Sequence, residues 1–297
     1  MEKCVSVVIP SFNRAHLLAK ILPSYLQENV GELILVDDCS TDNTTEVVEQ
    51  LIKTYPLIKY IRMKHNSKQM AAKNEGIKFA IYPYVYLGDD DSFITEGTIS
   101  ELLKTMKQYK ADVVGAKALY MDSFEDMENI EKFIKRKSRQ VISVADALDI
   151  RKLFFINFDF DSVTERVPFC HACTLCRRDI FKNIQFDTRY RGNAFREETD
   201  LFTRVSAAGY KIFYDSKAVQ INLPRNIILQ KKSLLKYKMK SSFYEFLNTY
   251  KYLRRNESFL KKYYKFNYSV FWIWAIYMKD AILVKVFKFF KLMVRKA

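Results

Sequence analysis

Short apolar runs alternate with segments of helical period along the first part of the chain. Val5 to Ile9 reads as a buried strand, closed by Pro10-Ser-Phe-Asn13. Ala15 to Gln27 has helical spacing, with Leu18, Ile21, Leu22 and Tyr25 on one face and Pro23 as a disruption. Glu32 to Val36 predicts a second strand that ends at Asp37-Asp38. Ser40-Thr-Asp-Asn, rich in N-cap residues, then opens a helix with Val47, Val48, Leu51 and Ile52 apolar. A third strand is expected at Ile58–Met63, a helix from Gln69 to Tyr82 and a fourth strand at Val85–Leu87. A helix at Ile99–Tyr109 and a strand at Asp112–Ala116 follow. Alternation of this kind predicts an α/β fold, a parallel sheet with helices on both faces. In such a sheet the loops after strands one, two and four share one edge, where ligands gather. Residues 120–165 give no clear period.

The fourth strand stops at Gly88 and three consecutive carboxylates, Asp89, Asp90 and Asp91. Adjacent carboxylates repel one another unless a positive charge sits among them. A hard divalent cation, Mg²⁺ or Mn²⁺, suits oxygen ligands of this kind. A solvated acidic turn is the plainer reading of the triplet taken alone. No Gly-x-Gly-x-x-Gly and no Gly-x4-Gly-Lys-Ser/Thr occurs, which argues against a glycine-cradled dinucleotide or a P-loop site.

Charge divides the chain. Its net charge is +15. Residues 1–224 hold 31 Lys and Arg against 31 Asp and Glu, whereas 225–297 hold 18 Lys and Arg against Glu245, Glu257 and Asp280. A boundary is therefore expected at Pro224. Met1-Glu-Lys-Cys runs straight into the first strand, so no signal peptide is expected. No apolar run approaches the ~20 residues of a spanning helix. Five cysteines (Cys4, Cys39, Cys170, Cys173, Cys176) are expected to be reduced thiols in the cytoplasm.

Five segments, in order, carry a resemblance to a known family. They are Val7-Val-Ile-Pro-Ser-Phe-Asn13, Val36-Asp-Asp-Cys-Ser-Thr-Asp-Asn-Thr44, Ala72-Lys-Asn-Glu-Gly76, Leu87-Gly-Asp-Asp-Asp91 and Arg196-Glu-Glu-Thr-Asp-Leu201. Together they resemble the family 2 inverting glycosyltransferases with the GT-A fold, a Rossmann-like, mostly parallel sheet. Cys39 stands where Gly is usual, Lys73 where Arg is usual, and Gly88 where the metal motif commonly begins with Asp. The resemblance implies a nucleotide-sugar donor, a UDP-sugar being expected, and a saccharide or lipid-linked acceptor. It implies Asp90, with Asp91, as ligands of Mn²⁺ or Mg²⁺. Asp89 would meet the ribose and Asp38 the N3–H of a pyrimidine, with Pro10, Ser11, Asn13 and Lys73 completing the nucleotide site. Glu198 is the implied general base and Asp200 the second candidate. Residues 1–100 would form the nucleotide-sugar half of the catalytic domain and 101–224 its acceptor half.

Helical spacing puts Glu198 in line with Phe202 and Val205, so its carboxylate is expected to point inward, where burial raises a pKa. Glu197 is expected to serve the helix dipole, and Asp200 an i,i+4 pair with Arg204. The Cys170-His-Ala-Cys-Thr-Leu-Cys176 cluster has ligands enough for zinc. On a strand, however, Cys170 and Cys173 would face opposite ways.

Residues 225–297 contain neither Gly nor Pro and hold 18 aromatics, Trp272 and Trp274 among them. A basic, aromatic α-helical extension is expected. Lys285, Lys288, Lys291 and Arg295 fall within an arc of about 120°, with Phe287 and Phe290 elsewhere. Such a composition predicts contact with an anionic membrane surface, hence a peripheral protein at the inner face of the membrane. Helix packing or a homo-oligomer through these helices is the alternative, and no nucleic-acid partner is expected. Two rivals to the transferase are a nucleotidyltransferase and a non-catalytic membrane-surface scaffold. The first needs a Gly-rich loop that Pro10-Ser-Phe-Asn-Arg14 lacks; the second leaves the intact carboxylates unexplained.

Overall fold

The computed structural model describes residues 2–161, 163–171, 173–228 and 234–294, with side chains at 145, 155, 225–226, 234–240 and 285–294 outside the description. The first half runs β1 (Val5–Ser11), α1 (Ala15–Ile21), a 3-10 turn at Leu22–Tyr25, β2 (Val30–Asp37), α2 (Thr44–Thr54) and β3 (Ile58–Arg62). It continues with α3 (Lys68–Phe79), β4 (Tyr84–Leu87), β5 (Ser92–Ile94), α4 (Thr98–Tyr109) and β6 (Val113–Tyr120). Short elements follow: α5 (Ile130–Lys137), β7 (Arg139–Gln140), α6 (Val144–Ala147), β8 (Phe160–Asp161), β9 (Thr164–Arg166) and β10 (Thr174–Arg177). Then come α7 (Glu197–Ala207) and β11 (Ile212–Asn222). The chain ends in α8 (Arg225–Ile228), α9 (Leu234–Arg255), α10 (Glu257–Tyr264) and α11 (Val270–Val294).

The main sheet has the order β3-β2-β1-β4-β10-β6-β11-β5, with β9 also on β11. β3, β2, β1 and β4 are parallel, as the alternation predicts. β10 enters antiparallel between β4 and β6, and β5 runs antiparallel to β11. The helical segment predicted to reach Gln27 stops at Ile21 and tightens into the 3-10 turn, with Pro23 in its first positions, where no N–H is missed.

Strand residues alternate between two cores, as a pleat requires. Val7, Ile9, Leu33 and Leu35 pack with α1, α2 and α4. Val8, Ile34 and Val36 pack with α3, α7 and the C-terminal helices. Gly76 lets α3 press onto that second face: a Cβ there would lie 2.6 Å from Val8 and 2.9 Å from Val36.

The C-terminal helices are built into this core. Tyr252, Leu253, Leu260, Val270, Ile273 and Tyr277 are buried in the same cluster as Val8 and Phe202. At ~2 kcal/mol for each buried side chain, these six contribute about as much as the whole net stability of a domain. The charge boundary at Pro224 is thus not a packing boundary. The basic stripe expected on Lys285, Lys288, Lys291 and Arg295, with Phe287 and Phe290, cannot be placed on a face, since the side chains of 285–294 and all of Arg295 lie outside the described part of the structure. Among the described residues no helix is long and apolar enough to cross a membrane.

Candidate active site

The loops after β1 and β2 are stitched together at the sheet edge. Asp38 N donates to the Ser11 carbonyl (2.8 Å), Asn13 N to Ser40 Oγ (2.9 Å) and Thr41 N to Asn13 Oδ1 (2.7 Å). Asn13 (φ +56°) and Cys39 (φ +66°) are both left-handed. Glycine reaches that conformation without strain, which accounts for the usual Gly at the Cys39 position. Asp42, not the Asn43 at the N-cap, does the capping: its carboxylate accepts from Thr44 N and Ala15 N (3.2 Å each), serving α2 and α1 together.

Asp37 is consumed by structure, accepting from Arg62, Tyr60 and Ser40 N. Asp38 accepts from the backbone N–H groups of Ser67 (2.6 Å) and Lys68 (2.8 Å). Burial nevertheless pushes its carboxyl above the ordinary value. Lys68 is itself left-handed (φ +73°).

The acidic turn rests on Tyr25. Its hydroxyl lies 3.2 Å from the Asp89 carbonyl and 3.1 Å from the Ser92 carbonyl. A Cβ on Gly88 would fall 2.9 Å from the Tyr25 ring, so an Asp at this position would collide with the support of the turn. Asp90 accepts from Phe12 N (3.3 Å) and faces Arg14 Nε at 3.8 Å, a buried N–H with no hydrogen-bond partner among the described residues. Burial raises Asp90 to about 6, against the pull of Arg14. Burial also raises Asp89 to about 7, although Lys73 stands 3.8 Å away.

Behind the turn, the Lys73 ammonium on α3 serves three carboxylates. It donates to Glu197 Oε1 (3.2 Å) and to Glu198, and it faces Asp89. Burial alone would lower its pKa, but the surrounding carboxylates drive it well above the ordinary value. Gln69 also donates to Glu197 (2.8 Å). The inward position expected for Glu198 belongs to Glu197, which is 3% exposed against 19% for Glu198. Burial raises Glu197 to about 7, with Lys73 opposing. Arg196, left-handed at the N-cap (φ +75°), turns the chain so that both glutamates begin α7.

A cleft of about 350 Å³ opens over these groups. Of the residues singled out in the sequence, Pro10, Ser11, Asp38, Asp89, Asp90, Asp91 and Glu198 line it. Three others do not. Asn13 ties the two loops, and Lys73 lies beneath the floor. Asp200, fully buried, accepts from Arg204 (2.9 Å), Asn256 (2.9 Å) and Arg255 (3.4 Å) and belongs to the packing of α7 on α9 and α10. Phe12, Arg14, Asn66, Lys68 and Gln69 complete the lining and were not foreseen. The one sequence signal for Arg14 and Lys68 is that each is a cation beside a strand-end loop.

Among the described residues no group of three or more His, Cys, Asp or Glu is placed to hold a metal. At the acidic turn, one or two carboxylates fit a hard divalent cation that takes the rest of its shell from ligand oxygens and water, as Mg²⁺ and Mn²⁺ do. The cysteine cluster does not fit one. Only Thr174–Arg177 is strand, and Cys170 and Cys176 lie on one face of the sheet with Cys173 on the other.

The sequence profile of glycosyl transferase family 2 matches residues 6–185. Over 221 residues the chain is 28% identical to the GalNAc(5)-diNAcBac-PP-undecaprenol beta-1,3-glucosyltransferase of Campylobacter jejuni, covering 73% of this chain and 63% of that one. It spans 19% and 38% of the length of two other curated relatives. Among solved structures, S. aureus TarS 1-349 in complex with UDP-GlcNAc superposes with a TM-score of 0.58 at 18% identity, over 91% of this chain and 74% of that one. The mannosyltransferase PcManGT from Pyrobaculum calidifontis, in complex with GDP-Man and Mn²⁺, gives 0.58 at 16% identity, over 86% and 65%. These two likenesses establish a shared fold.

Proposed function

The chain belongs to glycosyl transferase family 2, and from that premise we propose that it is an inverting transferase acting on a nucleotide-sugar, with a UDP-sugar as donor. The observation that carries this is the convergence of Asp38, Asp89, Asp90, Asp91 and Glu198 on one cleft at the strand ends. Asp38, held from behind by two backbone N–H groups, presents acceptor-only oxygens suited to the N3–H of a pyrimidine. Asp89 is assigned to the ribose hydroxyls. Asp90, with Asp91, would hold Mn²⁺ or Mg²⁺, which when bound neutralises the diphosphate leaving group. Arg14 and Lys68 add positive charge at the same wall.

Glu198 is assigned as the base. It takes the proton of the acceptor hydroxyl as that oxygen bonds to the anomeric carbon and the sugar–phosphate bond breaks on the opposite face. Lys73 fixes its carboxylate at the wall. Residues 1–100 supply the donor contacts, and 101–224 the acceptor contacts and the base. The acceptor is a saccharide, carried on a lipid at a membrane surface. The lipid-linked substrate named for the Campylobacter relative supports this choice. Glu198→Gln keeps the shape and removes the proton acceptor, so transfer should fall ~10²-fold or more with donor affinity within a few-fold. Native turnover in Glu198→Gln would remove the assignment.

A further inference from the structure

The C-terminal helices carry an aromatic ridge that nothing in the described structure covers. On α9, Phe243, Leu247 and Tyr250 share one outward stripe at helical spacing. At the start of α11, Phe271 and Trp272 stand outward as well. Trp272 is 61% exposed and Phe243 59%. Trp274 joins the two rows: its indole N–H donates to the Phe246 carbonyl (2.9 Å), and its ring contacts both Tyr250 (5.2 Å between centroids) and Phe271 (5.7 Å). The two tryptophans therefore have different jobs, Trp274 locking the seam and Trp272 facing out. The stripe continues along α11 through Ile276 to Leu283, with the exposed Lys279 between them.

We propose that this ridge is the surface by which the protein docks on a bilayer bearing anionic headgroups. The inference rests on the transferase reading above only for its purpose, since a lipid-carried acceptor requires the enzyme at a membrane. The extension that carries the ridge has a net charge of +15 by sequence, so two copies approaching through it repel one another as whole bodies, whereas an anionic surface attracts it. A lysine in the middle of the stripe also suits a water–lipid boundary, where its stem lies along apolar surface and its head stays wet. It suits a protein interface core poorly, because such cores are depleted of lysine. Exposed Trp, Tyr and Phe with Lys279 among them, on an extension whose sequence carries surplus cations, match the interfacial layer of an anionic membrane.

The other side of α9 grips the loop that leads into the two glutamates. Asn248 donates to the Arg191 carbonyl (2.8 Å), Asn193 donates to Ser241 Oγ (2.9 Å) and Glu245 (3.2 Å), and Tyr244 packs on Gly192. One helix therefore separates the docking surface from the base segment.

The test is sedimentation of the full chain with vesicles of phosphatidylglycerol and phosphatidylcholine in equal parts, and with phosphatidylcholine alone. Phe243→Ser/Phe271→Ser/Trp272→Ser should partition ~10-fold or more weakly into the anionic vesicles, with UDP affinity unchanged. As a second readout that needs no triple variant, Trp fluorescence should shift to the blue on adding anionic vesicles, and Trp272→Phe should abolish that shift. Wild-type protein that ignores the vesicles overturns the proposal, as does a variant that binds them equally well. So does a wild-type dimer in sedimentation velocity that the variant dissolves. Loss of UDP binding in the wild type would strike the transferase reading and leave the ridge standing.

Discussion

Lys73→Met removes the ammonium that serves Glu197, Glu198 and Asp89 together. The methionine fills nearly the same volume, so the effect isolates charge. Breaking a buried pair by deleting one partner typically costs ~3–5 kcal/mol. At ~2.1 cal/mol/K per residue, a chain of 297 residues has an unfolding entropy near ~0.6 kcal/mol/K, so Tm at pH 8 should fall by ~5–8 °C. The deficit should depend on pH. Glu197 is already raised to about 7 by burial in the native protein, and without Lys73 it rises further. At pH 5.5 it is protonated in both proteins and no longer needs a cation, so the deficit should shrink to about half or less. Lys73→Met/Glu197→Gln, which leaves Gln69 an amide partner, should recover most of the loss at pH 8. Thermal denaturation followed by circular dichroism at the two pH values supplies all six Tm values. A deficit equal at both pH values and untouched by Glu197→Gln would refute the shared-ammonium account.

Cys39→Gly relieves a left-handed non-glycine backbone, worth about 1 kcal/mol, and loses only a weak thiol contact to the Lys64 carbonyl; urea unfolding should show a higher midpoint, and a lower one would mean that the thiol packing matters more than the φ angle. The ligand-free wild type should also lose stability as pH rises from about 5 to 8, because between the ordinary carboxyl value of 4.5 and about 7 the native state binds the Glu197 proton and the unfolded chain does not. At ~1.4 kcal/mol for each pH unit across that window, the bound proton contributes up to ~3 kcal/mol, and a flat pH profile would contradict it.

The parallel half of the sheet was legible because each of its strands is an apolar run closed by a polar loop, a purely local signal. Asp38 and Asp89–Asp91 were legible for the same reason, as carboxylates at strand ends. The antiparallel place of β10 between β4 and β6 was not, because it is set by partners far away in sequence. Glu197 and Glu198 are adjacent and chemically alike. Which of them faces the cleft is decided by the left-handed Arg196 and by Lys73 from another helix, neither visible in a helical wheel. Asp200 resembled a site carboxylate until Arg255 and Asn256, more than fifty residues away, supplied its partners. The basic tail looked separable by charge, yet Tyr252, Ile273 and Tyr277 bury it in the core, because burial is a property of faces and charge counts ignore faces.

The most direct test of the proposed donor site is calorimetric titration of UDP into the wild type and Asp90→Asn, each with and without Mn²⁺. The account predicts that Mn²⁺ tightens UDP binding to the wild type by ~10-fold or more, about 1.4 kcal/mol, and that Asp90→Asn loses this gain while keeping the metal-free affinity. UDP binding that is indifferent to Mn²⁺ in the wild type, or equally strengthened by it in Asp90→Asn, would contradict the account.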